Sequence, residues 1–181
     1  KEDEINIFKK NKLKKINFLF DITENNFNFT DISFDTNNID FLSERFNIKK
    51  NKKDYLIEGN IRNKNSLLND ELLQMIKLKY PQFDLINTNF ESNTDFSLNI
   101  NHKKKVENLI LNSNILIDSS QYKRNNLISK NILQINDLID LKDHKIKVSY
   151  INKKLSIEGK GKVKLLDKFD PIDYEVVKKG S

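Results

Sequence analysis

Four stretches of this chain alternate apolar and polar residues with a period of two, and that leaves them few ways to fold. Ile16 to Ile22, Asp95 to Ile100, Leu109 to Ile117 and Leu155 to Leu165 all follow the pattern. Successive side chains of a β-strand point to opposite faces of its sheet, so each stretch predicts a ribbon with one apolar face and one wet face. The apolar phase slips by one between Phe27/Phe29 and Ile32/Phe34. A slip of one carries every side chain to the other face unless an extra residue absorbs it, so a β-bulge is expected near Thr30-Asp31.

Further strands are expected over 15–22, 39–46, 55–62, 89–92, 95–101, 106–113, 114–119, 145–151, 155–165 and 172–177, with 155–165 the longest. The inward set of 55–62 is Tyr55, Ile57, Gly59 and Ile61. Asn25-Asn26, Asn37-Asn38, Asn51 to Asp54, His102 to Lys105, Asn152 to Lys154 and Asp167 to Pro171 read as turns. The connections are short, so strands adjacent in sequence should pair antiparallel as a meander. The period changes once. Leu68, Leu72, Leu73, Met75 and Ile76 fall at helical spacing, with Asp70 and Glu71 at the positive end of the dipole and Pro81 to end the run. One helix over about 69–79 is expected. The 125–141 region is too irregular to assign. Leu56-Ile57-Glu58-Gly59 is echoed by Ser156-Ile157-Glu158-Gly159, and glycine inside a strand marks a bend or a close backbone approach.

The residue inventory argues against catalysis. There is no Cys, and only 4 Gly occur, with no phosphate-cradling glycine loop and no nucleophile elbow. His102 and His144 each lie beside lysines in what reads as a turn, without a second ligand at metal spacing. The chain is therefore expected to be non-enzymatic, without cofactor or metal. Its net charge of +6 invites a nucleic-acid reading. Yet the basic residues are almost all Lys, with Arg only at 45, 62 and 124, and Ala and Trp are absent while Lys, Asn and Ile abound. That pattern fits an AT-rich coding sequence better than selection for phosphate or base recognition, where Arg is favoured. No specific nucleic-acid partner is expected. No apolar run is long enough to span a bilayer. A chain of 181 residues that opens at Lys1 reads as a single β-rich domain, or as a segment excised from a longer repeated protein.

Two blocks of the C-terminal third, Lys154 to Val163 and Phe169 to Lys179, resemble the C-terminal regions of AsmA-like envelope proteins of the YhdP and TamB type. The earlier block Lys53 to Lys64, followed by a helical pattern, fits the same family. The resemblance implies a periplasmic segment of a protein anchored in a bacterial inner membrane. It also implies strongly curved antiparallel sheets, stacked with neighbouring segments of the same protein into an apolar groove, and a role in moving phospholipid between inner and outer membranes.

The expected fold is thus mainly β, an antiparallel, strongly curved meander sheet of open groove type with one short helix. A single sheet with one apolar face must be covered by a second layer, so the chain either closes into a sandwich or leaves a floor for acyl chains. The candidate floor residues are Phe18, Phe20, Phe96, Leu98, Ile100, Leu109, Leu111, Ile146, Val148, Tyr150, Leu155, Ile157, Val163 and Leu165. The alternative is a β-rich structural or interaction module, of envelope or phage origin, that binds a protein partner through an exposed edge strand.

Overall fold

A computed structural model describes residues 5–7, 11–36, 38–52, 54–70, 85–123 and 138–179. These residues build one antiparallel sheet whose spatial order is the sequence order. Nine long strands follow a short β1 (Ile5–Ile7): β2 (Asn11–Ile22), β3 (Asn26–Thr36), β4 (Ile39–Asn51), β5 (Asp54–Leu67), β6 (Leu85–Ile100), β7 (Val106–Lys123), β8 (Leu138–Ile151), β9 (Lys154–Lys164) and β10 (Phe169–Lys179). The sheet is a meander that does not close into a barrel, and the described residues form no second sheet to make a sandwich. The helix expected over 69–79 lies, past Asp70, outside the described residues.

The strands are longer than the alternation alone suggested. The runs expected over 89–92 and 95–101 are one strand, β6, and those over 106–113 and 114–119 are one strand, β7. β7, with 18 residues, is the longest, and β9 stops at Lys164. The last turn runs through Leu165 to Lys168, so Pro171 lies inside β10, paired with Lys162.

Curvature has an identifiable source. Five residues in the middle of strands have left-handed backbones: Lys15, Asp31, Asn87, Asn108 and Asp143. Each stands at a register shift, where its strand spends one residue more than its neighbour. A left-handed residue that absorbs an extra position is a bulge, and a bulge bends the strand and tightens its twist. The bulge expected near Thr30-Asp31 is there, at Asp31 (φ 50°). Bulges repeated across β2, β3, β6, β7 and β8 curve the sheet as a whole.

Only Ile39, Leu85 and Ile117 are buried apolar residues among those described. Most of the remaining apolar side chains are half-buried, shielded by neighbours on their own sheet.

Candidate functional site: one apolar face

Residues directly opposed in an antiparallel pair point to the same face, so register assigns faces without ambiguity. One row runs from Phe20 to Phe29, Phe46, Gly59, Phe96, Leu111, Tyr150 and Leu155. The next continues from Ile48 through Ile57 to Leu98. Further along the strands, Ile115 opposes Ile146, then Gly159, then Tyr174. The aromatic part of this face is a chain of ring contacts: Phe18 to Phe29 at 5.5 Å, Phe29 to Phe46 at 5.8 Å and Phe46 to Phe96 at 6.1 Å. Such edge and tilted pairs are favourable beyond the area they bury.

Of the fourteen floor candidates, thirteen lie on this face. Leu165 does not belong to it, because β9 has already ended and Leu165 is exposed in the turn. Phe18 and Phe20 are exposed on β2 near the sheet's edge, while Phe96, Leu98, Ile100, Leu109, Leu111, Ile146, Val148, Tyr150, Leu155, Ile157 and Val163 are half-buried. The sequence reading missed Phe29, Phe46, Ile115 and Tyr174. Phe46 was hidden because β4 carries an extra residue between Leu42 and Phe46, which puts Phe41 and Phe46 on one face despite their odd spacing.

The face is not uniformly apolar. Asn63 (3% exposed) accepts from the Ser92 hydroxyl and donates to the Phe90 carbonyl at 3.3 Å. Thr94 and Ser113 share a hydrogen bond of 2.8 Å, and Thr88 and Ser120 share one of 2.6 Å. Each of these buried polar groups is therefore partnered, as burial demands.

His144 overturns the expectation that it is a solvated turn residue. It lies in β8, only 5% exposed, stacked over Gly161 of the neighbouring strand. The strand continues because the Asp143 bulge turns His144 inward. Nε2 lies 3.1 Å from the Lys162 carbonyl, which can only accept, so Nε2 donates there, and Nδ1 lies 3.5 Å from the Tyr174 hydroxyl. Burial raises the pKa of the Tyr174 phenol above its ordinary value. Asp143, on the opposite face, is held below its ordinary value by a hydrogen bond from the Lys162 ammonium at 2.8 Å. His102 is in the β6–β7 turn and exposed, as expected.

A trough of about 680 Å³ crosses β7 to β10, lined by Ile115, Ile146, Gly159 and Tyr174 together with the charged strand neighbours Lys145 and Glu158. Among the described residues, no group of three or more His, Cys, Asp or Glu is placed to hold a metal ion. Nor is any helix among them long and apolar enough to cross a membrane. No protein-family model matches the chain, and searches of curated proteins and of solved structures find no relative.

Proposed function

We propose that the apolar face is a floor for phospholipid acyl chains, and that the chain is a non-enzymatic, periplasmic segment of an AsmA-like envelope protein. One observation carries this reading. Apolar rungs continue from strand to strand across a one-layer sheet, and no second layer among the described residues covers them. Apolar surface left in water is costly, at about 25 cal/mol per Å². Acyl chains satisfy such a surface without needing directional partners. The curvature set by the bulges favours a trough over a flat plate.

The test separates floor from core. A charge placed on a lipid floor costs lipid binding more than folding, whereas the same charge in a dry core is strongly destabilising. Ile157→Asp and Leu98→Asp, made singly, should stay folded by thermal melting and lose the phospholipid that co-purifies with the native chain. If both variants unfold and the native chain carries no lipid, these positions are plain core and the lipid reading is dropped.

A second reading has its own observation. Among the described residues β10 pairs only with β9, and its apolar residues Val176 and Val177 are exposed at the sheet's edge. An open edge of that kind adds a strand from a partner protein or from the next segment of the same protein. A stable complex that β10 forms without any lipid would favour it.

A further inference from the structure

The meander gathers the lysines in a way their sequence positions do not reveal. The turns after β2, β4, β6 and β8, and the C-terminal end of β10, all fall at one end of the sheet. Adjacent turns are tied together there, by the Lys50 amide donating to the Asn25 carbonyl at 2.8 Å and the His102 amide donating to the Asp54 carboxylate at 3.2 Å. This rim carries exposed lysines at 49 and 50, at 52, at 103 to 105, at 153 and 154, and at 178. At about 4.8 Å per strand, it extends roughly 40 Å from β2 to β10.

None of these lysines forms an ion pair among the described residues. The pairs described there lie away from the rim, joining Arg62 to Glu44, Lys160 to Asp173, Lys162 to Asp143 and Lys168 to Asp170. The lysines outnumber the rim's carboxylates, which are Glu24, Asp54 and Glu107. Asp54 accepts from the His102 amide, and Glu107 accepts from the Asn101 side chain at 2.6 Å. Immediately behind the cations the apolar face leaves Ile22 (56%), Tyr55 (38%) and Val106 (57%) exposed. The turn end therefore joins an excess of positive charge to exposed apolar residues.

We propose that this turn end docks on the surface of a bilayer rich in anionic phospholipid. The lysines meet the phosphates while Ile22, Tyr55 and Val106 reach the boundary between headgroups and acyl chains. The chemistry favours a membrane over a nucleic acid. All the rim cations are Lys, which acts as a point charge, and none is the Arg suited to bidentate recognition. Stacking of successive bases would need several aromatics interleaved with the cations; beside them the rim offers Tyr55 and His102, while the phenylalanine row lies further along the strands. This inference deepens the acyl-chain reading, since it sets the floor's open end against a source of lipid, and it is tested separately from that reading.

The probe is co-sedimentation with phosphatidylcholine vesicles, made with and without phosphatidylglycerol. The native chain should bind only the anionic vesicles, and more weakly as salt is raised. A rim variant, Lys49→Gln/Lys50→Gln/Lys103→Gln/Lys105→Gln, avoids the left-handed positions 52, 104 and 153. Each removed lysine should weaken binding about fivefold, so this variant should lose at least about a hundredfold. A variant of equal charge away from the rim, Lys14→Gln/Lys64→Gln/Lys123→Gln/Lys142→Gln, should lose far less. Equal losses in both, equal binding to the two vesicle types, or tighter binding of the native chain to single-stranded RNA than to anionic vesicles at physiological salt would overturn the proposal. Co-purified phospholipid is measured in the same preparations. Its absence while vesicle binding persists removes the acyl-chain floor and leaves the docking surface standing. Lipid retained without vesicle binding does the reverse.

Discussion

At Asp31 the backbone is left-handed in the middle of a strand, a conformation that costs an ordinary L-residue about 1–2 kcal/mol. Asn and Asp bear it best because their short polar side chains bond locally, and four of the ten left-handed positions among the described residues are Asn while two are Asp. An Asn-rich composition thus supplies bulge and turn residues where glycine is scarce. Asp31→Val should lower stability by about 1–2 kcal/mol while Asp31→Gly costs little, as read from urea denaturation midpoints. Equal losses would mean that the side chain, and not the backbone, is what matters. The Asp31 bulge was legible because phenylalanines and isoleucines flank it and expose the change of phase. The Asp143 bulge was not, since Lys142, Asp143, His144 and Lys145 offer no apolar marker, and His144 was misread as a consequence. The glycine echo was legible for a physical reason. Gly59 and Gly159 have no left-handed backbone, but a Cβ on either would run into a ring of the next strand, that of Phe96 or of Tyr174. Tyr174 also supplies a pH dependence. Its folded pKa is raised above 10.0 by burial, so the stability linked to it is whole below about pH 10 and lost as pH rises through the folded value. Urea midpoints taken across that range should fall more steeply for the native chain than for Tyr174→Phe. Parallel curves would show that the phenol is not the group responsible.

Among the elements, β6 shows why the alternation understated strand length. Ser92, Asn93 and Thr94 interrupt the apolar rhythm, so two short strands were expected where one continuous strand forms. Their polar side chains do not break the ladder, because Ser92 and Thr94 find partners in Asn63 on β5 and Ser113 on β7. Cross-strand pairing of this kind depends on register, which no local pattern reveals. The same holds for the aromatic row, whose members come from four strands and meet only once the bulges have set the phase. A hydrogen-bonded pair at a partly buried site has a distinctive mutational signature. Thr94→Val alone strands the Ser113 hydroxyl, which is 8% exposed, and should cost about 1–3 kcal/mol. The double change Thr94→Val with Ser113→Ala removes both partners and should cost clearly less than the sum of the singles. A double-mutant cycle measures the difference, and strict additivity would mean that the two hydroxyls do not interact.

Over the whole molecule, each long strand packs chiefly against the strands before and after it in sequence, and among the described residues β2 and β10 do not pair to close the sheet. Stability in such an array is nearly a sum over hairpins and their neighbours, as it is in repeat proteins. A barrel or sandwich behaves otherwise, since losing a terminal strand opens a closed core. The alternating pattern and short turns made the meander legible, but openness was not, because sandwich and open sheet need the same alternation. Truncation distinguishes them in solution. A chain ending at Lys164 loses β10 and the ring of Tyr174 over Gly159, yet β2 to β9 keep all their mutual contacts. It should remain folded, with a far-UV spectrum still dominated by β-structure and a lower, broader melting transition, and β9 should become the new edge. Native-state hydrogen exchange should then show fast amides moving from β10 to β9 while β6 and β7 stay protected. Loss of protection throughout the sheet would mean that the ends hold each other together, and the open, segmental architecture would have to be given up.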